Sequence, residues 1–193
     1  MPVVLLNTLF KRNSTMPKKS SKAKKKPAIS KKRKIVKNKK KVLAVPKGYH
    51  SVIPYLIVNG AANAIEFYKK VFGAKVVMRM DLPNGKISHA ELKIGDSKIM
   101  LGDQCPERGA YAPANYGGSP VGIHLYIKNV DEVVKRAVRA GAKLIRPVEN
   151  MFYGDRSAAI KDPFDHQWYV STHVEDVSIA QVKKRAAALF GNK

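Results

Sequence analysis

The sequence predicts an α+β fold in which two βαβββ modules form a cupped mixed β-sheet with helices on the outer face, preceded by a disordered basic tail. Three observations carry that expectation. Lysine crowds the N-terminal quarter, where no acidic residue occurs before Glu66. From Ser51 onward, short apolar runs alternate with glycine turns in the order strand, helix, strand, strand, strand. That order then recurs, with Gly73-Ala74-Lys75 closing the first helix and Gly141-Ala142-Lys143 closing the second.

The formal net charge of +23 belongs mostly to the tail. Residues 1–48 hold 17 of the 37 Lys and Arg, which leaves 20 bases against 14 acids, a net of +6, for the remainder. Between Lys18 and Lys41 the chain mixes Lys with Ser, Ala and Pro, too little apolar surface to offset the entropy of ordering it. Clustered lysines attract phosphate backbones or anionic lipid without reading sequence, so residues 18–47 are a candidate for non-specific nucleic-acid binding. The run Lys31-Lys32-Arg33-Lys34 would also serve as an import patch in a nucleated cell. No aromatic residue lies between Phe10 and Tyr49, so the stacking that supports single-strand binding is missing. A solvated extension with weak polyanion affinity is the other reading.

No stretch approaches the roughly 20 apolar residues that cross a bilayer. Val3 to Phe10 is short, and Lys11 and Arg12 follow it rather than precede it, which fits a secretory signal poorly. The absence of acids leaves a transit peptide open, and Met16 offers a second start that would drop residues 1–15. The expected compartment is the cytoplasm, with nucleoid or nuclear association through the tail. Cys105 is the single cysteine, so there is no internal disulfide and no Cys-rich zinc site, and it reads as a loop thiol.

The domain is expected over residues 49–176, with modules at 52–104 and 120–174 and a C-terminal helix over 177–193. Val52 to Val58 reads as a strand, and Ala64, Ile65, Phe67, Tyr68, Val71 and Phe72 fall at helical spacing before Gly73. Three strands follow, at Lys75 to Asp81, Ile87 to Ile94 and Lys98 to Leu101. The second module repeats them as strand Val121 to Ile127, helix Val130 to Ala140, and strands near Lys143 to Arg146, Ser157 to Lys161 and Gln167 to Thr172.

Strand alternation sorts each strand into an apolar and a mixed face. Ala90, Leu92 and Ile94 oppose His89, Glu91 and Lys93; Ile123, Leu125 and Ile127 oppose Gly122, His124 and Tyr126; Trp168 and Val170 oppose Gln167, Tyr169 and Ser171. A mixed face is either simply wetted or lines a cup. If it lines a cup, His89, Glu91 and His124 are the candidate catalytic groups, because a neutral imidazole beside a carboxylate serves as a general base. Tyr55, Met100, Tyr126, Gln167 and Tyr169 are then the candidate ligand-binding groups. Arg156, placed in the loop after Phe152, either grips an anion or belongs to a turn network with Asp155.

Tyr55-Leu-Ile-Val, Ala64-Ile-Glu-Phe-Tyr, Phe72-Gly-Ala and Asp162-Pro-Phe-Asp-His-Gln-Trp, in that order, resemble the vicinal-oxygen-chelate superfamily of glyoxalases, bleomycin-resistance proteins and dioxygenases. His89-Ala-Glu-Leu, Phe152-Tyr-Gly-Asp-Arg and Thr172-His-Val-Glu-Asp are similar to its PhnB-like branch, and the likeness spans about residues 50–180. The resemblance implies a cup with a small-molecule site and a homodimer. Metal-dependent relatives place ligands on the first and fourth strand of each module, which correspond here to Ile53, Met100, Gly122 and Tyr169, a set unsuited to a divalent cation. The expectation is therefore no metal and no other cofactor, with a displaced set of His89, Glu91 and His124 as the alternative. Because this fold hosts isomerases, lyases, dioxygenases and non-catalytic binders, whether turnover occurs stays open at this point.

Overall fold

The computed structural model describes residues 42–191. The expectations for residues 1–41, including the disordered tail, its nucleic-acid contacts and the second start, lie outside the described residues. The first module runs β1 (Tyr55–Val58), α1 (Ala61–Phe72), β2 (Lys75–Asp81), β3 (Ile87–Ile94) and β4 (Ser97–Asp103). The second runs β5 (Gly122–Tyr126), α2 (Val130–Arg139), β6 (Lys143–Asn150), β7 (Asp155–Lys161) and β8 (Gln167–His173), followed by α3 (Ile179–Phe190). The α+β class and the repeated βαβββ order are as expected. The strands form two four-stranded sheets, β1-β4-β3-β2 and β5-β8-β7-β6, each with one parallel and two antiparallel pairings.

Each module caps its helix from its own last strand. In α1, Gly60 offers no side chain, so Asp103 at the end of β4 accepts from the backbone N–H of Gly60 and Ala61, both at 2.9 Å. In α2, Asn129 accepts from Glu132 N–H, and Thr172 of β8 accepts from Val130 N–H at 2.9 Å. Gly73, at φ 69°, then ends α1 with its N–H on Lys69. The repeat is thus built into the capping as well as the strand order.

The apolar faces of both sheets turn toward one shared core. Leu56, Ala90, Leu92 and Leu101 of the first module and Ala158, Ile160, Trp168 and Val170 of the second join it with the inner faces of α1 and α2. At its centre Trp168 packs 4.6 Å from the Phe72 ring and 5.4 Å from Tyr68. Asp162, 3 % exposed, fastens the two modules: Oδ2 accepts from the Tyr68 hydroxyl at 2.7 Å and Trp168 Nε1 at 2.9 Å, and Oδ1 from the N–H groups of Phe164 and His166. Burial first, then the Asp162 charge, pushes the Tyr68 phenol well above its ordinary range, so it stays a donor. Among the described residues no helix is long and apolar enough to cross a membrane.

Candidate functional site

Because the apolar faces share a core, the mixed faces are left open. On the first module, register sets Tyr55 beside Met100, Met100 beside Glu91, Glu91 beside Met78 and His89 beside Met80. Glu91 is 4 % exposed there, with the Tyr49 hydroxyl donating to its Oε2 at 2.5 Å, Lys98 Nζ 3.4 Å away and His89 Nε2 3.7 Å from Oε1. The Tyr49 hydrogen bond is the largest influence holding the Glu91 carboxyl below its ordinary range, so it is an anion near neutrality. The Tyr55 hydroxyl lies 3.1 Å from His89 Nδ1 and donates to the Ser88 carbonyl at 3.4 Å, and burial raises its pKa. His89 therefore sits between a carboxylate and a phenol that remains protonated, an arrangement able to move a proton at Nε2 or Nδ1.

On the second module the His124 ring lies 4.8 Å from Tyr126 and 6.3 Å from Tyr169, making an aromatic platform. Gln167 Nε2 donates to the Tyr169 hydroxyl at 2.7 Å. The Tyr126 hydroxyl donates to Asp155 Oδ2 at 2.8 Å, which raises the Tyr126 pKa, and the other Asp155 oxygen meets His173 Nδ1 at 2.8 Å. Tyrosine lies against glycine on both faces. A Cβ at Gly122 would fall 2.4 Å from Tyr169 Cε2, and one at Gly102 would fall 3.1 Å from the Tyr55 hydroxyl and 2.8 Å from the Ser88 carbonyl.

Seven of the nine sequence candidates, His89, Glu91, Tyr55 and Met100 on one module and His124, Tyr126 and Tyr169 on the other, thus line the open faces, and Gln167 joins them through Tyr169. Arg156 does not. The strand β7 begins at Asp155, so alternation turns Asp155 to the open face and Arg156 to the helix side, where its guanidinium clasps Asp131 through two 2.7 Å contacts. No hydrogen bond, ion pair or ring contact among the described residues joins the open face of one module to that of the other.

The sequence pattern of the Glyoxalase/Bleomycin resistance protein/Dioxygenase superfamily matches residues 49–170. The chain belongs to that superfamily. An uncharacterized protein of Mycobacterium bovis is 38 % identical over 133 residues, 67 % of this chain and 88 % of the relative. A solved gene product of Arabidopsis thaliana superposes with a TM-score of 0.53 at 25 % identity, over 64 % of this chain and 98 % of that one. The Bacillus cereus PhnB protein, described as a 3-demethylubiquinone-9 3-methyltransferase candidate, shares the fold at 14 % identity, with a TM-score of 0.51 over 64 % of this chain and 99 % of that one.

The superfamily's usual metal does not fit these residues. Of the corresponding positions, Ile53 has no donor atom, Met100 offers only a thioether, and Gly122 has no room for a side chain because Tyr169 lies across it. The displaced set is not assembled within the chain either, since His89 and Glu91 lie on one open face and His124 on the other. Among the described residues no three His, Cys, Asp or Glu side chains converge on a cation site.

Sequence reasoning missed Tyr49, Lys98 and the roles of Asp155, which it placed in a turn network with Arg156, and His173. His173 is clamped between Asp155 at 2.8 Å and Asp176 at 3.0 Å, and the Asp155 hydrogen bond, then that of Asp176, raises its pKa. A raised folded-state pKa means this contribution to stability is complete below the unfolded value of about 6.5 and is lost as pH rises through the folded one. Accordingly, an NMR titration is expected to place His173 above the ordinary imidazole range, and His173→Gln is expected to flatten the decline of stability between pH 6.5 and the folded pKa. An unshifted titration would contradict the clamp. His166 is a turn residue, 7 % exposed, with Nε2 3.2 Å from the Ile57 carbonyl, and Cys105 meets Glu107 at 3.3 Å in the loop after β4.

Proposed function

We propose that this superfamily member binds a small, planar, hydrogen-bonding molecule on its open faces, without a resident divalent cation. It does so as a homodimer, in which the first-module face of one copy meets the second-module face of the other. One observation supports the reading: the apolar faces of both sheets join a common core, and among the described residues no hydrogen bond, ion pair or ring contact links the two open faces to each other. Met80 stays 53 % exposed and Tyr126 61 % exposed there, apolar surface that a second copy would remove from water. A dimer would also bring His89 and Glu91 opposite the partner's His124-centred platform, uniting a proton-handling pair with a stacking surface.

Light scattering on the full chain is expected to give the mass of two 21.4-kDa chains, and Met80→Arg is expected to shift it to one while leaving the melting of the fold nearly unchanged. A monomeric wild type would refute the composite cup. Plasma mass spectrometry is expected to find substoichiometric metal. About one metal per chain, lost in a His89→Ala/Glu91→Ala/His124→Ala variant, would overturn the metal-free reading.

A further inference from the structure

Glu91 is a buried carboxylate whose best partner comes from outside the two modules. Tyr49, ahead of β1, donates to it at 2.5 Å, and the ammonium of Lys98 lies 3.3 Å from the centroid of the same ring. Without Tyr49, Glu91 would keep only Lys98 at 3.4 Å and His89 at 3.7 Å, both longer than the roughly 2.8 Å of a good charge-assisted bond. A buried anion left so poorly matched is costly and favours any donor that can replace the lost hydroxyl.

We infer that Glu91, Lys98 and His89 form a receptor site for a hydroxyaryl group, with Tyr49 as its resident occupant, and that a phenolic ligand enters by exchanging with it. The inference rests on the reading that the open faces hold the ligand, and it names the ligand's chemical class. Each contact selects one part of a phenol. Glu91 accepts the hydroxyl and the Lys98 cation faces the ring, and by strand register Met78 and Met100 are the cross-strand neighbours of Glu91. An aliphatic alcohol satisfies Glu91 but gives Lys98 no ring. An arene without a hydroxyl gives Lys98 a ring and leaves Glu91 unmatched.

The test uses p-cresol, the side-chain analogue of tyrosine, and toluene, which lacks the hydroxyl. Both are titrated into the full chain as wild type, Tyr49→Ala, Tyr49→Phe and Tyr49→Ala/Glu91→Gln, with binding followed by NMR shifts. Tyr49→Ala is expected to bind p-cresol at least about tenfold more tightly than wild type, since a hydrogen bond to a charged group is at stake. Tyr49→Phe, which keeps the ring but not the hydroxyl, should show a smaller gain. Toluene should gain little, and Glu91→Gln should erase the p-cresol gain. Equal affinity in wild type and Tyr49→Ala, or a gain shared by toluene or surviving Glu91→Gln, overturns the inference. If p-cresol instead shifts only the His124, Tyr126 and Tyr169 resonances, equally in all variants, the hydroxyaryl site is refuted while the open-face reading stands.

Discussion

Replacing Asp162 with Ala is expected to lower the stability of the domain by about 4 kcal/mol, with a fall in Tm of about 10 °C. The carboxylate accepts four hydrogen bonds, and two come from side chains at the centre of the core, Tyr68 and Trp168. Truncation strands both buried donors, and an orphaned buried donor costs about 1–3 kcal/mol. It also frees the turn that carries His166 against Ile57, one of the ties between the modules. Asn is no rescue. Its single carbonyl oxygen can serve Tyr68 and Trp168 only if its amide N–H groups point at the backbone donors of Phe164 and His166, so Asp162→Asn should cost nearly as much. The exposed Asp96→Ala is the control, expected within about 0.5 kcal/mol of wild type by urea unfolding. A loss of under about 1 kcal/mol for Asp162→Ala would remove this residue from the centre of the fold's energetics.

That keystone shows where sequence reasoning reaches and where it stops. Period-two alternation assigned His89, Glu91, His124, Tyr126 and Tyr169 to one face of their strands, because the pleat enforces that assignment whatever the strands pack against. It failed at Arg156 for the same reason. Treating Phe152 to Arg156 as loop suspended the alternation two residues too long, whereas β7 starts at Asp155 and sends Arg156 to the helix side. Tyr49 was missed because its partner is 42 residues away and no local period links a residue at the tail junction to the middle of β3. The Asp155–His173 contact likewise depends on the β7–β8 register, which alternation leaves undetermined. Which apolar residues of the two modules meet is also set by tertiary packing, as in the contacts of Trp168 with Tyr68 and Phe72 of α1.

Gly122→Ala is expected to disable the second-module platform at modest cost to the fold. The added methyl would lie 2.4 Å from Tyr169 Cε2 and 3.0 Å from Cδ2, distances that cannot be relieved without moving the ring. Tyr169 is 37 % exposed, so it can swing outward, and overpacking of this kind should cost about 1–2 kcal/mol of stability. The site loses a comparable amount, and there the loss falls on binding. Moving the ring breaks its hydrogen bond from Gln167 and its stacking with His124, and an aromatic contact of about 0.5–1.5 kcal/mol corresponds to a loss of up to about tenfold in affinity for a stacked ligand. A double-mutant cycle isolates the cause. In a Tyr169→Ala background there is no ring to displace, so adding Gly122→Ala should change neither unfolding free energy nor affinity, giving a coupling that accounts for the whole single-mutant effect. If Gly122→Ala is as damaging without the ring as with it, the glycine serves the strand backbone alone, and the platform does not depend on the Tyr169–Gly122 contact.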